Sequence, residues 1–274
     1  MKKILKWTGI VIGGLTALTL LMGLALYPSG KEKLTRSYPD IQVEAVTYPT
    51  DLDAIAQGRH ISMIWGCTKC HGDDLSGKLL ANDPILGTIP ASNLTPGQGG
   101  IGKNYTDTDW VRALRHGIKP NSKVEIFMND YSYMSDHDLG DLIAYLKQIP
   151  PVDSELQALH LGPVAPLAPA VGFLTPPAEL IDHSEQRPAD PVPGATVEYG
   201  KYLFAICSEC HGSNLAGMLE KWNQEEFIQA FRAGVLPDGD KLPTAMPQKI
   251  FSEFNDTELS ALWFYLQSVR SAKP

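Results

Sequence analysis

Cysteine is scarce in this sequence. The 274 residues contain four cysteines, which form two Cys-x-x-Cys pairs, Cys67 with Cys70 and Cys207 with Cys210. If both pairs serve the same chemistry, no cysteine remains for a disulfide. The sequence also lacks a basic run beyond its first few positions, and acidic residues outnumber basic ones by 31 to 23. Nucleic acid and anionic lipid are therefore not expected as partners.

A histidine follows each cysteine pair directly, in Cys67-Thr68-Lys69-Cys70-His71 and Cys207-Ser208-Glu209-Cys210-His211. Cys-x-x-Cys-His is the attachment signature of c-type haem, in which two thiols bond to the porphyrin and the imidazole becomes an iron ligand. On a helical turn, cysteines three residues apart share one face and the histidine turns its ring under the iron. The sequence therefore predicts two covalently bound haem c groups, with His71 and His211 as axial ligands.

Two other interpretations of the cysteine pairs fit less well. A single zinc site would need the pairs at a short, characteristic spacing, and they lie far apart in the chain. Thioredoxin-like redox chemistry needs a Cys-x-x-Cys after a strand in a βαβ unit, and the surrounding pattern is helical. Haem attachment explains both the pairs and the histidines.

The N-terminus has the pattern of a membrane helix. Three lysines fall among residues 1–6, and an uncharged apolar run covers residues 7–27. About 20 such residues can span a bilayer, and the basic flank places the N-terminus in the cytoplasm. We expect a membrane anchor at residues 1–28, with a cleaved signal peptide as the alternative. In either case the haem domains would lie outside the cytoplasm, on the periplasmic side.

The rest of the chain divides into a stalk and a duplicated unit. Residues 29–50 are polar with isolated prolines, which is typical of a stalk. Residues 51–152 and 194–274 repeat the same order of motif, capped helix and final helix, so the sequence predicts an internal duplication with one haem in each copy. The proline-rich residues 153–193 between them are predicted to form a semi-rigid linker that packs across the domains. The expected fold class is all-α, with an N-terminal transmembrane helix and two tandem domains.

The helices of the two copies have matching start and stop signals. Cap candidates begin the middle helix at Thr106 and at Asn223, and glycines stop it at Gly117 and Gly234. The final helices begin with capping-box patterns, Ser135 with Asp138 in the first copy and Asn255 with Glu258 in the second.

Each iron needs a sixth ligand, and methionine sulfur would raise the potential in a way that suits reversible electron transfer. In the second copy, Met246 stands in an irregular segment between two helices, where it could reach the far face of the haem. Met218 is the alternative candidate for the sixth ligand of the second haem. In the first copy we predict Met128. The weaker candidates there are Met134, His116, His137 and Met63.

These motifs resemble those of a membrane-anchored dihaem cytochrome c of class I. Further stretches are similar to the cytochrome subunits of membrane-bound alcohol and sugar-acid dehydrogenases: Ser92-Asn93-Leu94-Thr95-Pro96, Gly100-Ile101-Gly102 and Ser135-Asp136-His137-Asp138-Leu139. Those subunits usually carry three such domains, and this chain has two motifs. The chain also has Asn129 where the family's Met-Pro pair has proline.

The resemblance implies a helical wrap around each haem. The first and last helices of each domain would cross at Gly58 and Tyr145 in one copy and at Gly200 and Tyr265 in the other. It also implies electron transfer in a respiratory or related chain, by a tethered carrier or by a subunit of a larger redox complex, with other redox proteins as partners. The chain would then not itself be an enzyme. The alternative is a dihaem enzyme of the cytochrome c peroxidase type.

Overall fold

Helices dominate the structure. The computed structural model describes residues 2–212, 219, 221–244 and 246–271, apart from the side chains of residues 2, 209, 210 and 271. The first helix, α1, runs Lys2–Thr35. Within the described residues, α1 is the one helix that is long and apolar enough to cross a membrane, and its most apolar 18-residue stretch is not buried inside the protein.

The other elements follow in two groups with a connecting segment between them. The first group contains α2 (Leu52–Ile64), α3 (Cys67–His71), β1 (Lys78–Asp83), β2 (Gly87–Ala91), α4 (Asp107–His116) and α5 (Asp136–Leu146). The connecting segment contains β3 (His160–Leu161), α6 (Leu167–Ala170) and α7 (Pro177–Leu180). The second group contains α8 (Val197–His211), α9 (Gln224–Ala233), α10 (Gln248–Phe251) and α11 (Asp256–Ser271).

A small antiparallel sheet departs from the all-α expectation. Strand β1 pairs with β2, and β2 pairs with β3 in the connecting segment. The hairpin turns at Asp83, whose carboxylate accepts the backbone N–H groups of Ile85 and Leu86 at 2.8 and 2.9 Å. Strands β1 and β2 belong to the segment after the first Cys-x-x-Cys-His motif, which has no helical periodicity. The prediction was incomplete because a short, half-exposed hairpin carries little apolar alternation.

The helix boundaries agree with the predicted caps. Thr106 and Asp109 form a reciprocal capping box at the start of α4, and Asn223 and Glu226 form one at the start of α9. Both helices end at a glycine in the left-handed conformation, Gly117 and Gly234. These side chains and glycines satisfy terminal N–H and C=O groups, and so fix where each helix begins and ends.

In each copy, the helix that leads to the cysteine motif crosses the final helix at very close range. A Cβ atom on Gly58 of α2 would overlap the carbonyl oxygen of Asp141 in α5 and lie 2.9 Å from the Cβ of Tyr145. A Cβ atom on Gly200 of α8 would likewise overlap the carbonyl oxygen of Ala261 in α11. The predicted crossings are therefore confirmed, and each depends on a glycine.

The two helical groups share one hydrophobic core. Buried apolar side chains from both groups form a single cluster, including Ile61 and Leu142 from the first group and Leu203 and Leu262 from the second. The ring centroids of Trp65 and Tyr202 lie 6.0 Å apart across this boundary. The relative position of the two cysteine motifs is therefore set by packing.

Polar contacts reinforce the same boundary. His60 of α2 lies 2.7 Å from the buried carboxylate of Glu258 in α11. The Tyr202 hydroxyl donates to Asp138 at 2.6 Å and accepts from the backbone N–H of Ser135 at 3.1 Å. These hydrogen bonds have direction, so they fix the register of one group on the other.

The proline-rich segment follows the surface of the first group from its start to its end. The Asp153 carboxylate accepts the N–H of Gln98 at 2.8 Å, β3 extends the sheet, and the Arg187 guanidinium donates to Asp136 at 2.6 Å. The segment is therefore packed against the protein.

We expect Gly200→Ala to destabilise the protein by about 1–3 kcal/mol, because the added methyl group overlaps main-chain atoms that cannot move independently. Denaturant titration measures the loss. Gly194→Ala is the control, since a Cβ there meets only the Thr196 methyl group at 3.6 Å. Equal stabilities of the two variants would contradict the close crossing.

We also expect the contact between the two groups to be stronger at low pH. The hydrogen bond to Glu258, with Glu253 and Asp138 adding negative charge nearby, raises the pKa of His60 above its usual value. A raised folded-state pKa stabilises the protein most below the unfolded value of about 6.5, and the contribution is lost as pH rises through the folded-state pKa.

His60→Ala should therefore lower the free energy of unfolding by about 1–3 kcal/mol at pH 5.5 and by less at pH 9. The measurement is denaturant titration at both pH values. The control is His160→Ala, at an exposed histidine, which should leave the free energy of unfolding unchanged at both pH values. A loss for His60→Ala that does not depend on pH would show that the pair contributes no charge interaction.

Candidate haem sites

His71 is held by a hydrogen bond to the loop that follows β2. Its Nδ1 lies 2.7 Å from the carbonyl oxygen of Ser92. A carbonyl oxygen can only accept, so Nδ1 carries the proton and Nε2 keeps its lone pair. Burial lowers the pKa of His71, and the hydrogen bond to Ser92 partly opposes this. The ring is therefore neutral and oriented, as an iron ligand must be.

Two buried polar side chains fix the loop that carries Ser92. The Asn93 side chain donates to the carbonyl oxygen of Val152 at 2.8 Å and accepts the N–H of Thr95 at 2.9 Å. The Thr95 hydroxyl donates to the same carbonyl and accepts the Val152 N–H at 3.0 Å. These bonds tie the loop to Val152, just before the connecting segment, and so hold the Ser92 carbonyl within hydrogen-bond distance of His71.

A cavity of about 320 Å³ opens beside this histidine. Its wall includes Cys67, Cys70 and His71 from α3 and Met128 from the irregular segment between α4 and α5. The structure therefore brings together all four residues predicted for the first site. The cavity is lined mainly by apolar side chains, which suits a porphyrin ring.

The chemistry of the cavity wall fits a haem. The indole N–H of Trp110 is buried there and has no hydrogen-bond partner among the residues that the structure describes. A haem carries carboxylates that could accept from such a donor. Burial raises the pKa of the Cys67 thiol to about 12, so its surroundings favour an uncharged sulfur. A thioether is uncharged, whereas zinc binding and thiol redox chemistry both use thiolates.

The other candidate ligands in the first copy lie elsewhere. Met134 is 0 % exposed in the hydrophobic core. His116 lines a different cavity, where its Nδ1 lies 3.1 Å from that of His183. His137 is exposed and lies near Asp138 and Asp141.

The second motif forms the last turn of α8, whereas the first motif forms the separate short helix α3. Cys207 and Met246 are both partly buried and pack against the shared core. The carbonyl oxygen of Pro243 accepts the Met246 backbone N–H at 2.8 Å. His211 is partly buried. The Cys210 side chain and the rival Met218 lie outside the described residues.

Part of the first cavity wall was not predicted from the sequence. Residues 156–159 of the connecting segment line the cavity. Leu156 and Leu159 are apolar, but a proline-rich segment gives no periodic signal that would assign them to a site. The connecting segment therefore helps to enclose the first site as well as joining the two groups.

Comparison with known proteins agrees with this geometry. Residues 55–150 match the family model described as cytochrome c. The chain is 28% identical to the fructose dehydrogenase cytochrome subunit of Gluconobacter japonicus over 184 residues, which cover 60% of this chain and 37% of the relative. It is 30% identical to the gluconate 2-dehydrogenase cytochrome c subunit of Pantoea cypripedii, over 61% of this chain and 40% of the relative.

A shorter relative also matches. The dihaem c-type cytochrome of Cereibacter sphaeroides is 32% identical over 110 residues, which cover 36% of this chain and 37% of the relative. The chain thus spans about two fifths of the length of these relatives. A cytochrome c domain implies covalently bound haem c. The chain therefore carries a cytochrome c domain at residues 55–150 and is related to the cytochrome subunits of dehydrogenases.

Proposed function

We propose that this protein transfers electrons through two covalently bound haem c groups held on the outer face of a membrane. The observation that carries the proposal is the cavity whose wall contains Cys67, Cys70, His71 and Met128 together. Haem c supplies reversible one-electron chemistry, and the protein supplies attachment, ligation, burial and orientation.

Each residue of the first site has a distinct role in this proposal. Cys67 and Cys70 attach the haem through thioether bonds. His71 offers the Nε2 lone pair, because its Nδ1–H is committed to Ser92. Met128 offers a soft sulfur donor that favours the reduced iron. The apolar lining excludes water and so reduces solvent rearrangement when the charge of the site changes.

The second haem site is proposed to contain Cys207, Cys210, His211 and Met246. The repeated order of elements supports this second site. Helix α8 crosses α11 at Gly200 in the same way as α2 crosses α5 at Gly58. Helices α4 and α9 both begin with a capping box and end at a left-handed glycine. The same repeat supports two cytochrome domains, at residues 51–152 and 194–274. Both would be helical wraps, with the small sheet as an addition to the first.

Helix α1 supports membrane attachment. Its apolar run at residues 7–27 is about 30 Å long at a rise of ~1.5 Å per residue, which matches the hydrocarbon core of a bilayer. The lysines before it favour a cytoplasmic N-terminus. The haem sites follow on the other side, so we propose a periplasmic location for them.

A dehydrogenase is the proposed electron donor. The relatives are named as cytochrome subunits of fructose and gluconate dehydrogenases, which supports a subunit of such a complex or a tethered carrier that serves one. These relatives also favour electron transfer over the peroxidase alternative. A methionine on the wall of the first cavity supports the same choice, since a peroxidase needs an open coordination position.

The ligand assignment predicts separate effects of two substitutions. Met128→Ala and Met246→Ala should each lower one of two midpoint potentials by roughly 0.1 V or more, because axial ligands set haem potentials over a range of about 0.8 V. Each variant should also bind carbon monoxide at the affected haem. Potentiometric titration and visible spectra of the membrane-bound protein measure both effects.

Met134→Leu is the matched control, because Met134 is a buried core methionine that does not line the cavity. It should leave both potentials and the carbon monoxide reactivity unchanged. A wild-type titration with a single haem per chain would contradict the dihaem proposal. A Met128→Ala variant with two unaltered potentials would remove Met128 from the iron.

A further inference from the structure

Part of the connecting segment packs directly on the membrane helix. Gly23, Leu26, Tyr27 and Gly30 of α1 are spaced along one face of the helix, and all four are at least partly buried. A Cβ atom on Gly30 would overlap the carbonyl oxygen of Pro166. A Cβ atom on Gly23 would lie 3.8 Å from Cδ1 of Leu167 in α6. Helix α6 therefore lies against this face of α1.

The contact extends into the apolar run of α1. Gly23 comes four residues before Tyr27, the last residue of that run. At a rise of ~1.5 Å per residue, Gly23 lies about 6 Å inside the end of the run. Leu167 therefore reaches the depth at which α1 carries apolar side chains that would contact lipid in a bilayer.

The chain next to Leu167 exposes large apolar side chains. Phe173 is 88 % exposed and Val171 is 66 % exposed. The Phe173 backbone N–H donates to the carbonyl oxygen of Ala168 at 2.9 Å, which folds the chain back and keeps Phe173 beside α6. No charged residue occurs from residue 161 to residue 178. A surface with these properties is typical of a site that is covered in the working protein.

We propose that residues 164–174 form a second membrane contact, with Val171 and Phe173 in the interfacial region of the outer leaflet. The occupant is lipid, because the segment is continuous with the membrane helix through the contacts at Gly23 and Gly30. Uncharged side chains with an aromatic residue suit the interface between headgroups and acyl chains. This inference rests on the proposed role of α1 as a membrane anchor.

The second contact would set the orientation of the cytochrome. A single helix leaves the attached domain free to tilt relative to the membrane plane. A contact beside the helix, on a segment that also joins the sheet through β3 and binds Asp136 through Arg187, removes that freedom. The first haem cavity would then keep a fixed angle and height relative to the membrane surface.

Lipid photocrosslinking of the full-length protein tests the proposal. The protein is placed in phosphatidylcholine nanodiscs that contain a lipid with a diazirine in its acyl chain, and labelled peptides are identified by mass spectrometry after irradiation. We expect labels in residues 7–27 and in residues 164–174. Peptides that contain Leu52 or Val192, which are 81 % and 82 % exposed, should remain unlabelled and serve as internal controls.

The possible results separate this inference from the membrane anchor. Labelling of residues 7–27 without residues 164–174 overturns the second contact and leaves the anchor intact, and it is the result expected if a partner protein covers the segment. Absence of label from residues 7–27 overturns the anchor itself. Equal labelling of the Leu52 and Val192 peptides would show non-specific reaction and overturn the contact.

A double variant adds a direct test. Val171→Asp with Phe173→Asp should reduce labelling of residues 164–174 by roughly fivefold or more, because carboxylates are expelled from the apolar part of a bilayer. Labelling of α1 should not change. Val192→Asp is the control and should leave both signals unchanged. Wild-type labelling of residues 164–174 in the double variant would contradict the proposed role of these two side chains.

Discussion

The architecture depends on the close crossing of two helix pairs, α2 with α5 and α8 with α11. In both pairs the leading helix runs toward a Cys-x-x-Cys-His motif, and a glycine lets its backbone meet a carbonyl oxygen of the final helix. The absence of a side chain at Gly58 and Gly200 brings the backbones into contact, and this contact sets where each cysteine motif emerges. The final helices in turn supply the core residues, such as Leu142 and Leu262, that join the two groups.

The crossing of α2 with α5 determines the position of the first candidate haem site through a few further contacts. The motif emerges from α2 as α3, His71 reaches the Ser92 carbonyl, and the loop that carries Ser92 is fixed by Asn93 and Thr95. The connecting segment then closes the cavity and continues along the first group to α6 and α1. One continuous set of contacts therefore leads from the candidate haem pocket to α1.

Local patterns predicted much of this arrangement. The cysteine motifs, the caps at Thr106 and Asn223 and the crossing glycines are each recognised from neighbouring residues in the sequence, and the caps and crossings are confirmed. The hairpin was missed because its short strands carry little apolar alternation. The pairing of β2 with β3 and the cavity wall at residues 156–159 were missed because they depend on residues distant in the chain. The backbone pairing of Thr88 with His160 is an example, since neither residue carries a local signal for it. The contact of α6 with α1 is likewise invisible in the sequence.

The central claim is that two c-type haems are each held by one histidine and one methionine. Near-infrared magnetic circular dichroism of the oxidised full-length protein tests it most directly, because the band position reports the axial ligand pair of each low-spin haem. We predict histidine–methionine signals with an intensity equal to two haems per chain. A bis-histidine or high-spin signal for either haem would contradict this account, because it would show that Met128 or Met246 is not an iron ligand.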